Sequence, residues 1–362
     1  MQLKVLDLSR VLAGPVCSMI LGDIGADVIK VERPGAGDET RGWGPPFDPE
    51  GESAYFLSVN RNKKSICLDL VSDTDRAVLF ELIREADVVL ENFLHGSLER
   101  LSLNADEILE RNRALIWCTI SGFGADNPRP GYDFVVQAES GWMAITGEPE
   151  GSPMKVGVAL ADVIAGKDAA IAILAAAGER AGGTLAPKQR RINISLANSA
   201  RAALVNVAQN VLVSGLDAKR WGNAHPNLVP YQLFDAADRP FVIAVGSDAQ
   251  WRACVDTLGL AHLAGDQSLA KNAGRVAKRA LVVSAIAARV RDMPAKRWID
   301  LLETAGVPCG LVRTVAEVLH RTDANAGSGM PPSVPGSVRL PPPKLNEHGD
   351  AIRALGWRAF GR

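Results

Sequence analysis
The sequence predicts an α/β fold built on a parallel, doubly wound sheet. Short apolar runs of strand type recur through the first two hundred residues, and stretches with helical spacing separate them. A shorter region of α/β character then follows a break rich in proline and asparagine, so a second, smaller unit is expected. In order, residues 3–8 read as a strand, 15–25 as a helix with Pro15 in its first turn, and 26–31 as the next strand. Residues 65–70, 88–91 and 115–120 repeat the strand pattern, with a helical stretch at 75–85. Residues 156–160 read as a strand or extended approach to a long helix from Val163, and a last strand at 191–196 leads into a helix over 197–214. The expected organisation is a large doubly wound domain at 1–205, a linker at 206–225 ending in GNAH, a small α/β domain at 226–320, and a Gly/Pro/Ser-rich segment with a terminal helix at 321–362.

Composition narrows the function classes. The 362 residues are 47% hydrophobic and 22% charged, enough for two domains and a sizeable core. A formal net charge of −1 argues against a dedicated nucleic-acid binder. Lys167, Asp168 and Glu179 interrupt the most apolar helix, so no membrane span is expected. The chain opens on a strand instead of a basic segment and an apolar leader, and its five scattered cysteines form no CxxC pair. Reduced thiols in the cytoplasm are the expectation, with no metal site.

One acidic residue stands out. Asp162 lies at the junction between an apolar run and a long Ala/Ile/Leu-rich helix, where an N-cap belongs. From its position alone it is either a capping carboxylate or a nucleophile. Around it stand VLDLSRVLAGPVCSMILGDIGADVIKVERPGAGDET, NRNKKSICLDL, ADVVLENF, LIWCTISGFG and GYDFVVQAESGWMAITG, in that order, ahead of ADVIAG, with PPPKLNEHG near the C-terminus. Together these segments resemble the class III coenzyme A transferases, a family that includes formyl-CoA transferase, carnitine CoA-transferase and 2-methylacyl-CoA racemase.

The resemblance implies a Rossmann-like domain interrupted by a small domain, in a homodimer whose two chains interlock like links. The return segment after Val318 is shorter than the family's usual one, and the tetraglycine run of formyl-CoA transferase is missing. By resemblance, Asp162 is the nucleophile that carries acyl and CoA groups in turn. Coenzyme A enters as an acyl-CoA substrate, with a carboxylate as acceptor and no permanently bound cofactor. The implied CoA contacts are Leu12, Ala13, Arg33, Leu68, Asp69, Leu70, Val71, Asn92, Phe93, Leu94 and Arg100; Arg33 and Arg100 suit phosphates because guanidinium offers several fixed donors. Tyr132, Gln137 and Gly141 are the candidates for the acyl or acceptor site.

Racemase members place histidine before the aspartate of the GYD motif, since moving a proton across an α-carbon needs an acid or base on each face. Tyr132 stands there instead, and an ordinary tyrosine is a poor base at neutral pH. CoA transfer is therefore the leading expectation; a racemase or epimerase and a non-catalytic acyl-CoA binder are the alternatives.

Overall fold
The structure, a computed structural model, describes residues 3–183 and 185–361. Chain contacts divide it into two compact units. The first comprises residues 1–143, 155–216 and 322–362, and the second residues 144–154 and 217–321.

The first unit is built on six parallel strands: β1 (Lys4–Asp7), β2 (Asp27–Glu32), β3 (Lys63–Cys67), β4 (Val88–Glu91), β5 (Ile116–Ser121) and β6 (Arg191–Ser195). Their order, β3-β2-β1-β4-β5-β6, is that of the doubly wound dinucleotide folds, reversing between β1 and β4. Successive side chains of a strand point to opposite faces, so a sheet covered on both sides needs continuous apolar runs. Val5, Val28 and Val88 accordingly join one core cluster with the helices Ala13–Asp23 and Leu160–Ala181, while their neighbours Leu6, Ile29 and Val89 join another with the helix Asp73–Glu85 and Trp357.

A glycine sets the closest helix contact of the first cluster. A Cβ at Gly166 would stand 2.5 Å from the carbonyl oxygen of Ala13, so only glycine lets the Leu160–Ala181 helix lie this close to the start of the Ala13–Asp23 helix. Asp162 lies one turn before Gly166.

The edge of β3 is covered by the C-terminal segment, as an open strand edge requires. Cys67 N–H donates to Asn346 Oδ1 at 2.7 Å, and His348 N–H to the carbonyl of Ser65 at 3.0 Å. The terminal helix Gly349–Leu355 follows, and Trp357 donates its indole N–H to the carbonyl of Leu82.

Three local expectations change. Residues 156–160 form no strand, and the long helix begins at Leu160 with Ala159 as N-cap, which puts Asp162 inside the first turn. The reason is distant in sequence: Asp133 already accepts from the exposed N–H groups of that turn. The stretch 197–214 divides into helices Leu196–Ala202 and Val205–Ser214.

The second unit holds an antiparallel sheet, β7 (Tyr231–Asp235), β8 (Pro240–Ala244) and β9 (Cys309–Leu311), with β8 central. Phe241, Trp251, Ile286 and Trp298 belong to its separate core. No helix of the described residues is long and apolar enough to cross a membrane.

Candidate functional site
In open parallel sheets the crevice at the carboxyl ends of the strands, where strand order reverses, is the place for a ligand. The loops after β1 and β4 meet there. They line a cavity of about 240 Å³ that also receives Tyr132 and Asp162, and that brings Leu12, Ala13, Asn92, Phe93 and Leu94 together. A second cavity of about 440 Å³ lies at the ends of β2 and β3 and gathers Arg33, Leu68, Asp69, Leu70 and Val71. Arg10 and Phe93 line both, and the Arg10 guanidinium stands 5.7 Å from the Phe93 ring centre.

Asp162 is held against its own ionisation. Burial, followed by repulsion from the Asp133 carboxylate, pushes its carboxyl up to about 7. Asp133 is fixed by the helix it caps: its Oδ1 accepts from the N–H of Ala161 at 2.8 Å and of Asp162 at 3.4 Å. Its Oδ2 accepts from Gln137 Nε2 at 2.7 Å, and Gln137 Oε1 accepts from Val156 N–H at 2.8 Å. The chain of bonds from Val156 through Gln137 and Asp133 thus fixes the helix turn that carries Asp162, and places the Asp133 carboxylate whose repulsion adds to burial in raising the Asp162 pKa.

The predicted residues do not all share one role. Gln137 is fully buried, lines neither cavity and has its amide engaged as just described, so its position is that of a support beneath the site. Gly141 also lies outside both cavities; with φ of +86° it follows the Asp133–Glu139 helix and turns the chain in a conformation that glycine adopts most easily. Arg100 is exposed, donates to Ser97 Oγ at 2.8 Å and lines neither cavity. Arg33 is exposed at the second cavity. Asn92 reaches the first cavity, yet its side chain brackets the backbone of Arg10, accepting from its N–H at 2.9 Å and donating to its carbonyl at 2.7 Å.

Several residues of the site are not singled out by sequence. Tyr55 is pushed up to about 12 by burial first and then by Asp162, Asp133 and Asp38, so its hydroxyl stays protonated beside these carboxylates. Its ring meets Trp43 edge to face, with centres 5.1 Å apart. At the floor, Glu91 is buried and raised by desolvation, and it accepts from Thr119 Oγ1 and from Phe93 N–H. Gly122 and Gly131 touch backbone to backbone, so a Cβ on Gly131 would overlap Gly122. This crossing leaves a sequence trace, the glycine of GYD, and fixes the loop that presents Tyr132. Among the described residues no group of three or more His, Cys, Asp or Glu side chains is arranged to hold a metal.

The fold and this geometry define an α/β protein with an extended ligand cleft at the switch point and a single half-buried aspartate in its wall. Residues 1–332 match the CoA-transferase family III. The chain belongs to that family of enzymes. A succinate–glutarate CoA-transferase from Agrobacterium fabrum is 39% identical over 375 residues, covering 96% of this chain and 92% of that protein. An acetyl-CoA:oxalate CoA-transferase from Acetobacter aceti is 38% identical over 372 residues, covering 97% and 94%. The crystal structure of a CaiB/BaiF family protein from Brucella suis superposes with a TM-score of 0.81 at 39% identity, over 97% of each chain.

Proposed function
We propose that the protein transfers coenzyme A from a short acyl-CoA to a small dicarboxylate, with Asp162 as the covalent carrier. The observation that carries this reading is the position of Asp162: a carboxyl raised to about 7, in the wall of a cavity that shares Arg10 and Phe93 with a second cavity of about 440 Å³. The names of the two relatives support the substrate class, since glutarate and oxalate are both dicarboxylates.

The chemistry needs no ATP. An oxygen of Asp162 attacks the thioester carbonyl, the C–S bond breaks, and the CoA thiolate leaves an acyl-aspartyl anhydride. The thiolate then attacks the aspartyl carbonyl, releasing the donor's carboxylate and leaving CoA as a thioester on Asp162. The acceptor carboxylate attacks that thioester to form a new anhydride, and the freed thiolate takes the acceptor's acyl group, restoring Asp162. An elevated pKa suits the first step, because a more basic carboxylate is a better nucleophile once ionised. The Tyr132 hydroxyl, at the first cavity, is a donor for the carboxylate of an acyl group or acceptor. Arg33 suits the charged end of the nucleotide.

Under this reading coenzyme A is substrate and not a resident cofactor, and the enzyme works in the cytoplasm as an interlocked homodimer with the second unit inserted in the first. The helix Val205–Ser214 supports a dimer: it buries none of its residues, and Val205, Leu212 and Val213 are each more than two-thirds exposed. Native mass measurement tests that point, with a monomer at micromolar concentration counting against it.

The test of function is transfer itself. Purified enzyme given succinyl-CoA and glutarate or oxalate is expected to yield the corresponding new acyl-CoA, and Asp162→Ala to yield none. Exchange of the α-proton of a branched acyl-CoA in deuterated water, without CoA transfer, would favour the racemase reading instead.

A further inference from the structure
The loop that joins β1 to the Ala13–Asp23 helix is held by side chains at the backbone of Ser9, Arg10 and Val11. Ser9 N–H donates to Asp7 Oδ1 at 2.9 Å, and the carbonyl of Ser9 accepts from Lys30 Nζ at 2.9 Å. Asn92 brackets Arg10 on both sides. Val11 N–H donates to the Asp38 carboxylate, 3.2 Å from each oxygen. Lys30 and Asp38 are themselves paired at 3.0 Å with fully buried side chains.

Val11 is the residue this arrangement acts upon. Its φ is +70°, the left-handed region, which a β-branched side chain rarely enters. Such a conformation persists only where the surroundings over-determine it. Val11 also lines the cavity wall beside Leu12, Ala13 and Asp162. A buried ion pair is weak support for stability, since well-packed apolar residues can do as well, and this pair also holds two backbone groups of the loop, the Ser9 carbonyl and the Val11 N–H.

We infer that Lys30 and Asp38 are positioning residues: they hold Val11 in its left-handed conformation and so set the wall, Val11 to Ala13, against which the thioester is presented to Asp162. The inference rests on the proposed function for its kinetic part. Neither Lys30 nor Asp38 reaches the reacting atoms in this role; each acts through the loop.

A double-mutant cycle reads the coupling. Asp38→Asn is expected to lower kcat about tenfold while the KM for acyl-CoA moves less than about threefold. In the Val11→Gly background the same substitution should cost less than about threefold in kcat, because glycine adopts positive φ unaided. In the Val11→Ala background the full loss should remain. Equal losses in all three backgrounds would overturn the inference and leave Asp38 with a merely structural role. A melting comparison needs neither turnover nor a folded Asp38→Asn protein: Val11→Gly should unfold at a higher temperature than Val11→Ala, the reverse of an ordinary position. Val11→Ala melting higher than Val11→Gly would contradict the clamp outright. Absence of CoA transfer by the wild type, with the melting order as expected, would count against the proposed function and not against the clamp.

Discussion

The two units solve the problem of a core differently. In the first, Asp7, Asp23, Lys30, Glu32, Asp38, Arg61 and Lys63 are all buried among the described residues, interlaced by ion pairs and hydrogen bonds. In the second, Arg275 is the buried charge among the described residues, and the core packs around Phe241, Trp251 and Trp298. Charges removed from water are costly even when paired, so the first unit carries a burden that the second avoids. Several of these charges sit under the loops after β1 and β2, the walls of the two cavities. The contrast suggests that the first unit trades stability for a rigid site and the second is built for packing.

That comparison can be broken in four places. Trp298→Ala removes a fully buried ring from the second unit, along with an indole N–H that donates to the carbonyl of Val290. It should cost about 3–5 kcal/mol by thermal or denaturant unfolding, while the acid limb of the kcat/KM profile stays where Asp162 sets it. A movement of that limb would mean the two regions are not separable in this way.

Asp162→Asn should do the opposite, stopping turnover and raising stability. The folded carboxyl, at about 7, holds its proton over a range in which the unfolded one has released it, so wild-type stability falls as pH rises from about 4 to 7. The amide has no such charge to bury. Its gain should be about 2 kcal/mol at pH 8, after discounting for screening at a half-buried position, and should vanish near pH 4, as read by melting across pH. A variant less stable than wild type at pH 8 would contradict the raised pKa.

The two arginines separate the second cavity from its surroundings. Arg33→Ala should raise the KM for acyl-CoA about tenfold with little change in kcat, and Arg100→Ala should change it less than about twofold. Equal effects would mean that CoA extends beyond the cavity at Arg33. The smallest effect is in the pH profile: Asp133→Asn removes the repulsion but not the burial, so the acid limb of kcat/KM should move down by about one pH unit. An unmoved limb would assign the raised pKa to burial alone.

Much of the fold was legible in sequence because a sheet covered on both faces writes itself as short continuous apolar runs, as at Val88 to Leu90. The residues that the sequence pattern picks out at Leu12, Asn92 and Asp162 are brought by the fold to the wall of one cavity. What escaped is non-local. Asp162 looks like an N-cap because the carboxylate doing that job, on Asp133, comes from 29 residues away. Gln137 has the right chemistry to bind a substrate, and nothing in sequence shows that its amide is already engaged. Val11 is harder still, since local propensity argues against the conformation it adopts. Asp38 has no sequence mark beyond an acidic residue in a glycine-rich loop.

The most direct test of the central claim is the intact mass of the protein after brief exposure to succinyl-CoA. An adduct of the mass of CoA less water, removed by hydroxylamine and missing in Asp162→Ala, is the expected result. Turnover without any adduct that depends on Asp162, or an adduct that survives its replacement, would show that another group carries the chemistry.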